Sequence, residues 1–276
     1  MLTLHDGIRS FVFAAVATSA CFVVGAGEIP TARPEEVGMS SQRLLRINTA
    51  IQRHIDAGEI QGAVTVVARR GKVVHFEAHG MMDVERGRPM EKDAIFRMAS
   101  STKPILGVAA MMMIEEGLIR PFDEVSRYIP EFEDMQVAVL KEPEDEDVSP
   151  LYVLKDQVPE HRLVPAKRPI TIHDLLTHTS GLASGGLGSA VAEWQQLGPE
   201  DTLASNIPGY GRFPLDFQPG TRWAYSGGVG LDVVARIIEI VSKTPFDVFL
   251  RERLFEPLGM NDTHFTCRRR RRRGGS

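Results

Sequence analysis

The chain has little cysteine, and its basic residues are unevenly placed. With only Cys21 and Cys267, a disulfide framework and a cysteine-rich metal site are both excluded. Six of the 32 Lys and Arg residues form one run, Arg268 to Arg273, so residues 1–267 carry 26 basic against 36 acidic groups, a net charge of −10. A chain with this negative charge binds nucleic acid or an anionic membrane surface poorly, and we expect neither as a partner.

Long hydrophobic runs are also scarce. The run near the N-terminus, residues 11–24, is too short to span a bilayer comfortably, and small residues follow it, with Ala26 at a suitable cleavage position. This pattern is typical of a secretory signal peptide over residues 1–26. It predicts export to the periplasm or the medium, with no stable membrane span after signal removal. An uncleaved anchor and a wrongly assigned start codon are the alternatives.

The arginine run lies in a C-terminal segment, residues 266–276, that ends in Gly-Gly-Ser. A frameshift, a fusion scar or a truncated reading frame would produce such a segment, and we expect it to be an artefact of this kind. A basic interaction tail is the alternative.

Other quantities are ordinary for a globular protein. The 276 residues are 43% hydrophobic and include 25 Gly and 17 Pro, which excludes collagen-like, coiled-coil and wholly disordered chains. The length is roughly that of two typical domains, so the chain can bury a sizeable core.

The first half of the chain predicts a helix, a hairpin and a second helix. Apolar residues recur at helical spacing over residues 40–57, with a serine at the cap. Strand-forming runs follow at residues 63–68 and 73–76, and a glycine lies in the turn between them. A hydrophobic helix then begins at or just before Lys103 and ends near residue 116, since Pro104 is tolerated only in a first turn.

The second half predicts short helices joined by loops. Thr171 begins a capping box, and Gly181 is expected to end the helix that follows. Further helices are predicted over residues 228–243 and 246–255. The acidic run at residues 142–147 predicts a solvated loop more than a metal site.

Ser100 and Lys103 are three residues apart at the beginning of the hydrophobic helix. Residues at this spacing share a helix face, so the hydroxyl and the amine can meet, as in a Ser-Lys nucleophile pair. A serine is a weak nucleophile by itself, and an apolar setting at a helix N-terminus favours the neutral amine that could take its proton. Ser101 is two residues from Lys103 and lies on a different face. By itself such a spacing also fits a capped helix with a solvated lysine.

Tyr225 comes at the end of a turn-rich stretch, directly ahead of the helix predicted over residues 228–243. A phenol at a junction of loop and helix can point into a cleft, where it could bond the nucleophile and carry its proton to a leaving group. Spacing alone equally fits an aromatic ring packed under the loop.

Four stretches taken together resemble one superfamily, the class C β-lactamase-like serine hydrolases. It includes AmpC-type β-lactamases, family VIII carboxylesterases and low-molecular-weight penicillin-binding proteins. The resemblance covers about residues 34–265. In their expected order, the stretches are Ser100-x-x-Lys103, Leu175-Leu-Thr-His-Thr-Ser-Gly-Leu182, Pro219-Gly-x-x-Trp-x-Tyr225-Ser and Phe255-Glu-Pro-Leu-Gly-Met260.

This resemblance implies roles for the three residues. Ser100 would be the acylated nucleophile and Lys103 its general base, while Tyr225 would relay the proton to the leaving group and activate water. The oxyanion would be held by the backbone N–H of Ser100 and by a second N–H from a strand near the C-terminus. No metal and no organic cofactor are implied. His178 is expected to have a structural role at a helix end.

The sequence departs from the superfamily pattern at Gly227. The Tyr-x-Asn motif of the β-lactamases reads Tyr225-Ser-Gly here, so the side-chain amide that would contact a β-lactam is absent. This favours an esterase or another hydrolase. The same stretch vaguely resembles a nucleophile elbow around Ser226, but its first glycine is missing and no strand clearly precedes it.

A second departure is the third motif of the superfamily, Lys or His followed one residue later by Gly, which is expected beyond Phe265 and is not in this chain. Strands of the main sheet and the second oxyanion donor would be lost with it. Removing one such donor costs on the order of 100- to 1,000-fold in rate. Uncovered strand edges also favour aggregation. We therefore expect the chain to show little or no turnover.

The predicted fold is α/β (α+β), of the serine β-lactamase and penicillin-binding-protein type, with an antiparallel sheet flanked by helices, incomplete here, and a mostly helical lobe. One hydrolase domain is expected over residues 27–265, its α/β lobe formed by residues 34–103 and 226–265 and its helical lobe by residues 104–225. The predicted function is cleavage of a small-molecule ester or amide through an acyl-enzyme on Ser100. A non-catalytic penicillin-binding-like envelope protein and a truncated, inactive product are the alternatives.

Overall fold

A computed structural model describes residues 29–141 and 152–265. The predicted signal peptide, the acidic run at residues 142–147 and the arginine-rich segment 266–276 lie outside the described residues. Within the described ranges the fold is a mixture of helices and two antiparallel sheets, which confirms the predicted fold class.

The N-terminal part is a helix followed by a hairpin, as predicted. The side chain of Ser40 accepts a hydrogen bond from the backbone of Arg43 and caps the first helix. Arg70 and Gly71 both have positive φ, the conformation of a two-residue hairpin turn whose twist matches its strands. The three strands pair antiparallel in sequence order. These elements are α1 (Ser41–Asp56), β1 (Gly62–Arg69), β2 (Lys72–Asp83) and β3 (Arg88–Pro89).

The hydrophobic helix α2 covers Thr102–Glu115 and follows a short 3₁₀ turn, Ala99–Ser101. Pro104 lies in its first turn, where no hydrogen bond to its missing N–H is needed. Gly117 adopts a left-handed φ of 72° directly after the helix and ends it. The predicted bounds of this helix are confirmed.

A second sheet lies in the region that the sequence predicts to be mostly helical. Its strands β4 (Gln136–Leu140) and β5 (His161–Pro165) are antiparallel, and Val137, Ala138 and Val139 are buried. The rest of the region contains short helices and 3₁₀ turns: α3 (Ile172–Leu176), α4 (Leu187–Val191), α5 (Leu203–Asn206), and 3₁₀ turns at Val125–Arg127, Pro130–Phe132 and Ile207–Arg212. A further 3₁₀ turn, Pro34–Val37, precedes α1.

The core of the described protein is built around α6 (Val229–Ser242), which packs against α2 and α3. Its inner face consists of fully buried aliphatic residues, and α2 contributes small residues and a methionine to the same cluster. Helix α7 (Phe246–Leu250) continues into a π-helical turn, Arg251–Phe255. The buried residues of the two facing helices are Val233, Val234, Ile237 and Ile238 of α6, and Leu106, Ala109, Ala110 and Met113 of α2.

Helix α3 is shorter than predicted. It begins at the predicted cap, where Thr171 and Asp174 form a capping box, but it ends at Leu176, not at Gly181. His178 then takes a left-handed φ of 58°, so the chain leaves the helix axis three residues before Gly181 is reached. The prediction was wrong because a left-handed residue other than glycine is rare and was not anticipated. No helix within the described ranges is long and apolar enough to cross a membrane.

Candidate active site

Ser100 and Lys103 meet at the beginning of α2, as their spacing predicts. Ser100 lies in the 3₁₀ turn and is exposed, while Lys103 lies in the first α-helical turn and is half-buried. The Lys103 Nζ donates to the Ser100 Oγ at 3.2 Å. The residue before the serine, Ala99, has a left-handed φ of 45°, a strained conformation that costs on the order of 1–3 kcal/mol and is found most often at functional sites.

The lysine is also held by a distant part of the chain. Its Nζ donates to the backbone carbonyl of Gly227 at 2.7 Å. Gly227 lies two residues before α6, so this bond joins the N-terminus of α2 to the N-terminus of α6. The amine is therefore fixed between the Ser100 hydroxyl and a carbonyl, both of which accept from it.

Tyr225 completes a cluster of three polar side chains. Its hydroxyl is hydrogen-bonded to Ser100 and to Lys103, and these two bonds lower the pKa of the phenol below its ordinary value, helped by the positive charge of Lys103. The Lys103 Nζ also lies 5.0 Å from the centre of the Tyr225 ring, within the range of a cation–π contact. The structure thus brings together the three residues predicted from the sequence. Their chemical roles remain predictions.

Tyr225 is placed by the pairing of two irregular segments. Residues 178–181 run alongside residues 216–224 and accept three backbone hydrogen bonds from them. The donors are the N–H groups of Asp216 to Gly181 at 2.7 Å, of Gly220 to Thr179 at 2.8 Å, and of Ala224 to His178 at 3.1 Å.

This pairing requires a glycine at position 181. Gly181 has a φ of 75°, and a Cβ on it would lie 2.5 Å from the carbonyl oxygen of Phe217. Any side chain would push the two segments apart. The end of the Leu175–Leu182 stretch is therefore packed against the segment that carries Tyr225 and has a structural role here.

An ion pair between a buried carboxylate and a partly exposed guanidinium lies against the same segment. Both guanidinium nitrogens of Arg168 donate to Asp174, at 2.6 and 2.8 Å, and the Asp174 side chain is only 3% exposed. Arg168 also lies directly under Gly220, where an added Cβ would clash with it. Burial alone would raise the pKa of Asp174, but hydrogen bonds from Arg168 and Thr171 outweigh it and hold the pKa below its ordinary value.

The other serines of the region are already used or face elsewhere. Ser226 is buried, and its Oγ accepts the N–H of Gly230 at 3.0 Å, which stabilises the first turn of α6. Ser180 is buried and its Oγ accepts the N–H of Leu182. Neither hydroxyl is presented to solvent, so the elbow-like stretch around Ser226 offers no accessible nucleophile.

Sequence reasoning missed the Gly227 carbonyl, because a backbone acceptor leaves no trace in residue type. For His178 it predicted a structural role at a helix end but not the contacts. Its ring lies 4.8 Å from the ring of Tyr225, and its Nδ1 accepts the N–H of Ser226 at 3.3 Å. Within residues 29–141 and 152–265, no group of three or more His, Cys, Asp or Glu side chains is placed to hold a metal ion.

Comparison with known proteins gives one family. A family model described as Beta-lactamase matches residues 47–275. Esterase EstB of Burkholderia gladioli is 32% identical over 228 residues, which are 80% of this chain and 51% of that protein. Lovastatin esterase of Penicillium rubens is 34% identical over 224 residues, 79% of this chain and 52% of that protein.

A solved structure gives the same result. EstCE1, described as a hydrolase with promiscuous acyltransferase activity, has a TM-score of 0.58 and 29% sequence identity, and the match covers 78% of this chain and 51% of that one. The chain thus spans about half the length of the curated relatives it matches.

Proposed function

The chain belongs to the β-lactamase family, a family that includes esterases and acyltransferases, and we propose that it is a serine hydrolase that cleaves a small-molecule ester or amide through an acyl-enzyme on Ser100. The observation that carries this proposal is the convergence of three groups. Lys103 donates to Ser100, and Tyr225 bonds both. A hydroxyl in contact with an amine and a phenol of lowered pKa has the surroundings that activate a serine nucleophile.

The reaction proposed for these groups proceeds in two stages. In the first, the Ser100 Oγ bonds to the substrate carbonyl carbon as its proton passes to Lys103, a step open only to the molecules in which this amine has lost its proton. The bond from the acyl carbon to the leaving oxygen or nitrogen then breaks as Tyr225 protonates that atom, and Tyr225 is itself reprotonated from Lys103. In the second stage, water attacks the acyl carbon, gives a proton to Lys103 through Tyr225, and that proton returns to the released Oγ. The backbone N–H of Ser100 is the proposed donor to the oxyanion.

Covalent labelling tests this proposal. A fluorophosphonate probe reacts with an activated serine in one step, in which the Oγ–P bond forms and fluoride leaves, so the test does not depend on turnover. We expect one adduct on the 276-residue chain, mapped to Ser100 by peptide mass spectrometry. Ser100→Ala should remove the adduct, while the matched variant Ser101→Ala should keep it. An adduct that survives Ser100→Ala, or none on the wild-type chain, would refute the proposal.

Acyl transfer to an alcohol is the second candidate function. The basis for it is the similarity to EstCE1, which is described as having acyltransferase activity besides hydrolysis. An acyl-enzyme can pass its acyl group to water or to an alcohol, since both attack the same carbon. After acylation with an activated ester, rising concentrations of a primary alcohol should give more of the new ester and less free acid. A product ratio that does not depend on the alcohol concentration would mean that the acyl-enzyme reacts only with water.

The absence of an amide at position 227 bears on the substrate. Among the residues that the structure describes, nothing lies within 4 Å of a Cβ added at Gly227, so the space beside this glycine is open. We therefore propose simple esters before β-lactams. Hydrolysis or acylation by a penicillin at a rate equal to that of a p-nitrophenyl ester would contradict this preference.

Export is also part of the proposal, on the basis of the N-terminal pattern alone. N-terminal sequencing of the protein recovered from cells that express the gene should give Gly27 as the first residue. Recovery with Met1 intact in the cytoplasmic fraction would contradict it.

A further inference from the structure

One residue holds both neighbours of Tyr225. The backbone carbonyl of His178 accepts the N–H of Ala224, and its side-chain Nδ1 accepts the N–H of Ser226. Between these two bonds the imidazole ring lies 4.8 Å from the Tyr225 ring, tilted by 49°. His178 therefore positions Tyr225 through three contacts: a hydrogen bond to the residue before it, a hydrogen bond to the residue after it, and a contact with its ring.

The imidazole also contacts a second aromatic ring. The ring of Trp223 lies 6.3 Å away in an edge-to-face arrangement. His178 thus contacts two aromatic side chains that are two residues apart in the same segment.

The side-chain bond constrains the protonation of the ring. A backbone N–H can only donate, so Nδ1 must be an acceptor, and an imidazolium carries protons on both nitrogens and cannot accept. Burial, and then the positive charge of Lys103, lower the pKa of His178 below its ordinary value. Lys103 on α2 is the cation that acts on the ring, and Tyr225 is the titratable group in contact with it. Asp174, on the helix that precedes His178, is paired with Arg168.

We propose that His178 is a positioning residue, which holds the Tyr225 phenol against Ser100 and Lys103 and does so only while its imidazole is neutral. The effect on reactivity rests on the proposed function, but the effect on the phenol does not. Protonation would break the bond to Ser226 and place a second cation beside Lys103. Tyr225 would then lose the hydrogen bonds that lower its pKa.

Three variants separate the contributions of the hydrogen-bond acceptor, the aromatic ring and the titration of His178. His178→Asn keeps an acceptor at the δ position, tolerates the left-handed backbone and does not titrate. His178→Phe keeps an aromatic ring next to Tyr225 but has no acceptor. His173→Asn is the matched control, because His173 lies on α3, is exposed and stacks on Phe122 away from the three site residues.

The first experiment measures the Tyr225 phenol and needs no activity. Ultraviolet titration of each protein, compared with its Tyr225→Phe counterpart, gives the pKa of this tyrosine. We expect it to be lowered in the wild type, in His178→Asn and in His173→Asn, and to return towards 10 in His178→Phe. An unchanged tyrosine pKa in a folded His178→Phe would overturn the proposal, whether or not Ser100 reacts with any probe.

The second experiment measures the rate of fluorophosphonate labelling between pH 5 and 9. Loss of one hydrogen bond of ordinary strength predicts labelling about 10-fold slower in His178→Phe at pH 7, with His178→Asn within about threefold of the wild type. His178→Asn should also keep its rate at acidic pH values where the wild type has lost it. Equal acid sensitivity of the two would overturn the pH part of the proposal.

A third measurement covers the case in which His178→Phe does not fold. Nitrogen NMR of the wild type labelled at histidine reports the tautomer directly. We expect an unprotonated Nδ1 on His178 at pH 7, with titration below pH 6.5. A proton on Nδ1 at neutral pH would be incompatible with the bond from Ser226 and would refute the proposal by itself.

Discussion

The ion pair between Arg168 and Asp174 fixes the beginning of α3, and through it the wall on which Tyr225 lies. Replacing Asp174 with asparagine keeps the shape of the side chain and removes its charge. Removal of one partner of a buried pair costs about 3–5 kcal/mol. Because the Arg168 side chain is 42% exposed, water can solvate the unpaired guanidinium. We therefore expect a loss at or slightly below the lower end, about 2–3 kcal/mol in the free energy of unfolding.

Urea denaturation followed by circular dichroism measures this loss. With a slope of about 2–3 kcal/mol per molar, the midpoint should fall by about 1 M. The matched control is Glu160→Gln, since Glu160 and Lys141 form an ion pair of similar length, 2.9 Å, whose side chains are 81% and 60% exposed. That variant should lose less than about 1 kcal/mol. Equal midpoints for the two variants would refute the argument from burial.

The same variant has a predictable pH dependence. The pKa of Asp174 is lowered in the folded state, so its stabilising effect is fully present above the ordinary value of 3.8 and is lost as the pH falls through the folded value. The difference in stability between the wild type and Asp174→Asn should therefore be constant near neutral pH and shrink below pH 3.8. A difference that grows on acidification would mean that the sign of the shift is wrong.

Three further outcomes are expected. In ultraviolet titration, Tyr225→Phe should remove a phenol that titrates at lower pH than an ordinary tyrosine. Tyr128→Phe should remove one that titrates at higher pH, because burial and the bond to a carboxylate raise the pKa of Tyr128 to about 12. Interchanged effects would contradict both assignments. Gly181→Ala should destabilise the protein by at least about 1–3 kcal/mol in urea denaturation, since both its φ and its contact with Phe217 exclude a side chain. Gly107 lies within α2, and a Cβ added to it has no neighbour within 4 Å, so Gly107→Ala should stabilise the protein by about 0.5–1 kcal/mol in the same assay. A loss of stability would show that helix propensity does not determine the effect of this substitution.

Elements with a local cause were predictable from the sequence. The cap at Ser40, the glycine turn of the first hairpin, the proline in the first turn of α2 and the capping box at Thr171 each depend on residues a few positions apart. Their signals are therefore complete within a short window of sequence. The meeting of Ser100 and Lys103 belongs to the same class, because helical spacing alone brings them together.

Elements that depend on distant partners were not predictable. Strand β4 is short and buried at three successive positions, so it shows no alternation of polar and apolar residues. Its partner β5 begins more than 20 residues later. The left-handed turn at His178 has the same origin, since its conformation is stabilised by pairing with residues 216–224 and not by its neighbours. For the contact of Tyr225 with Ser100, spacing alone left a packed aromatic ring as an equal alternative, and the resemblance to a family favoured the contact.

The bond between Lys103 and the Gly227 carbonyl has a consequence for folding. Its two residues are 124 positions apart, so it closes a long loop, and contacts of such separation form late. While the chain is being synthesised, Ser100 and Lys103 are present long before Tyr225 and Gly227 have left the ribosome. If Ser100 is the proposed nucleophile, it should react with a serine-directed probe only after Tyr225 and Gly227 have joined the site. The onset of labelling during refolding would then report when the N-termini of α2 and α6 come together.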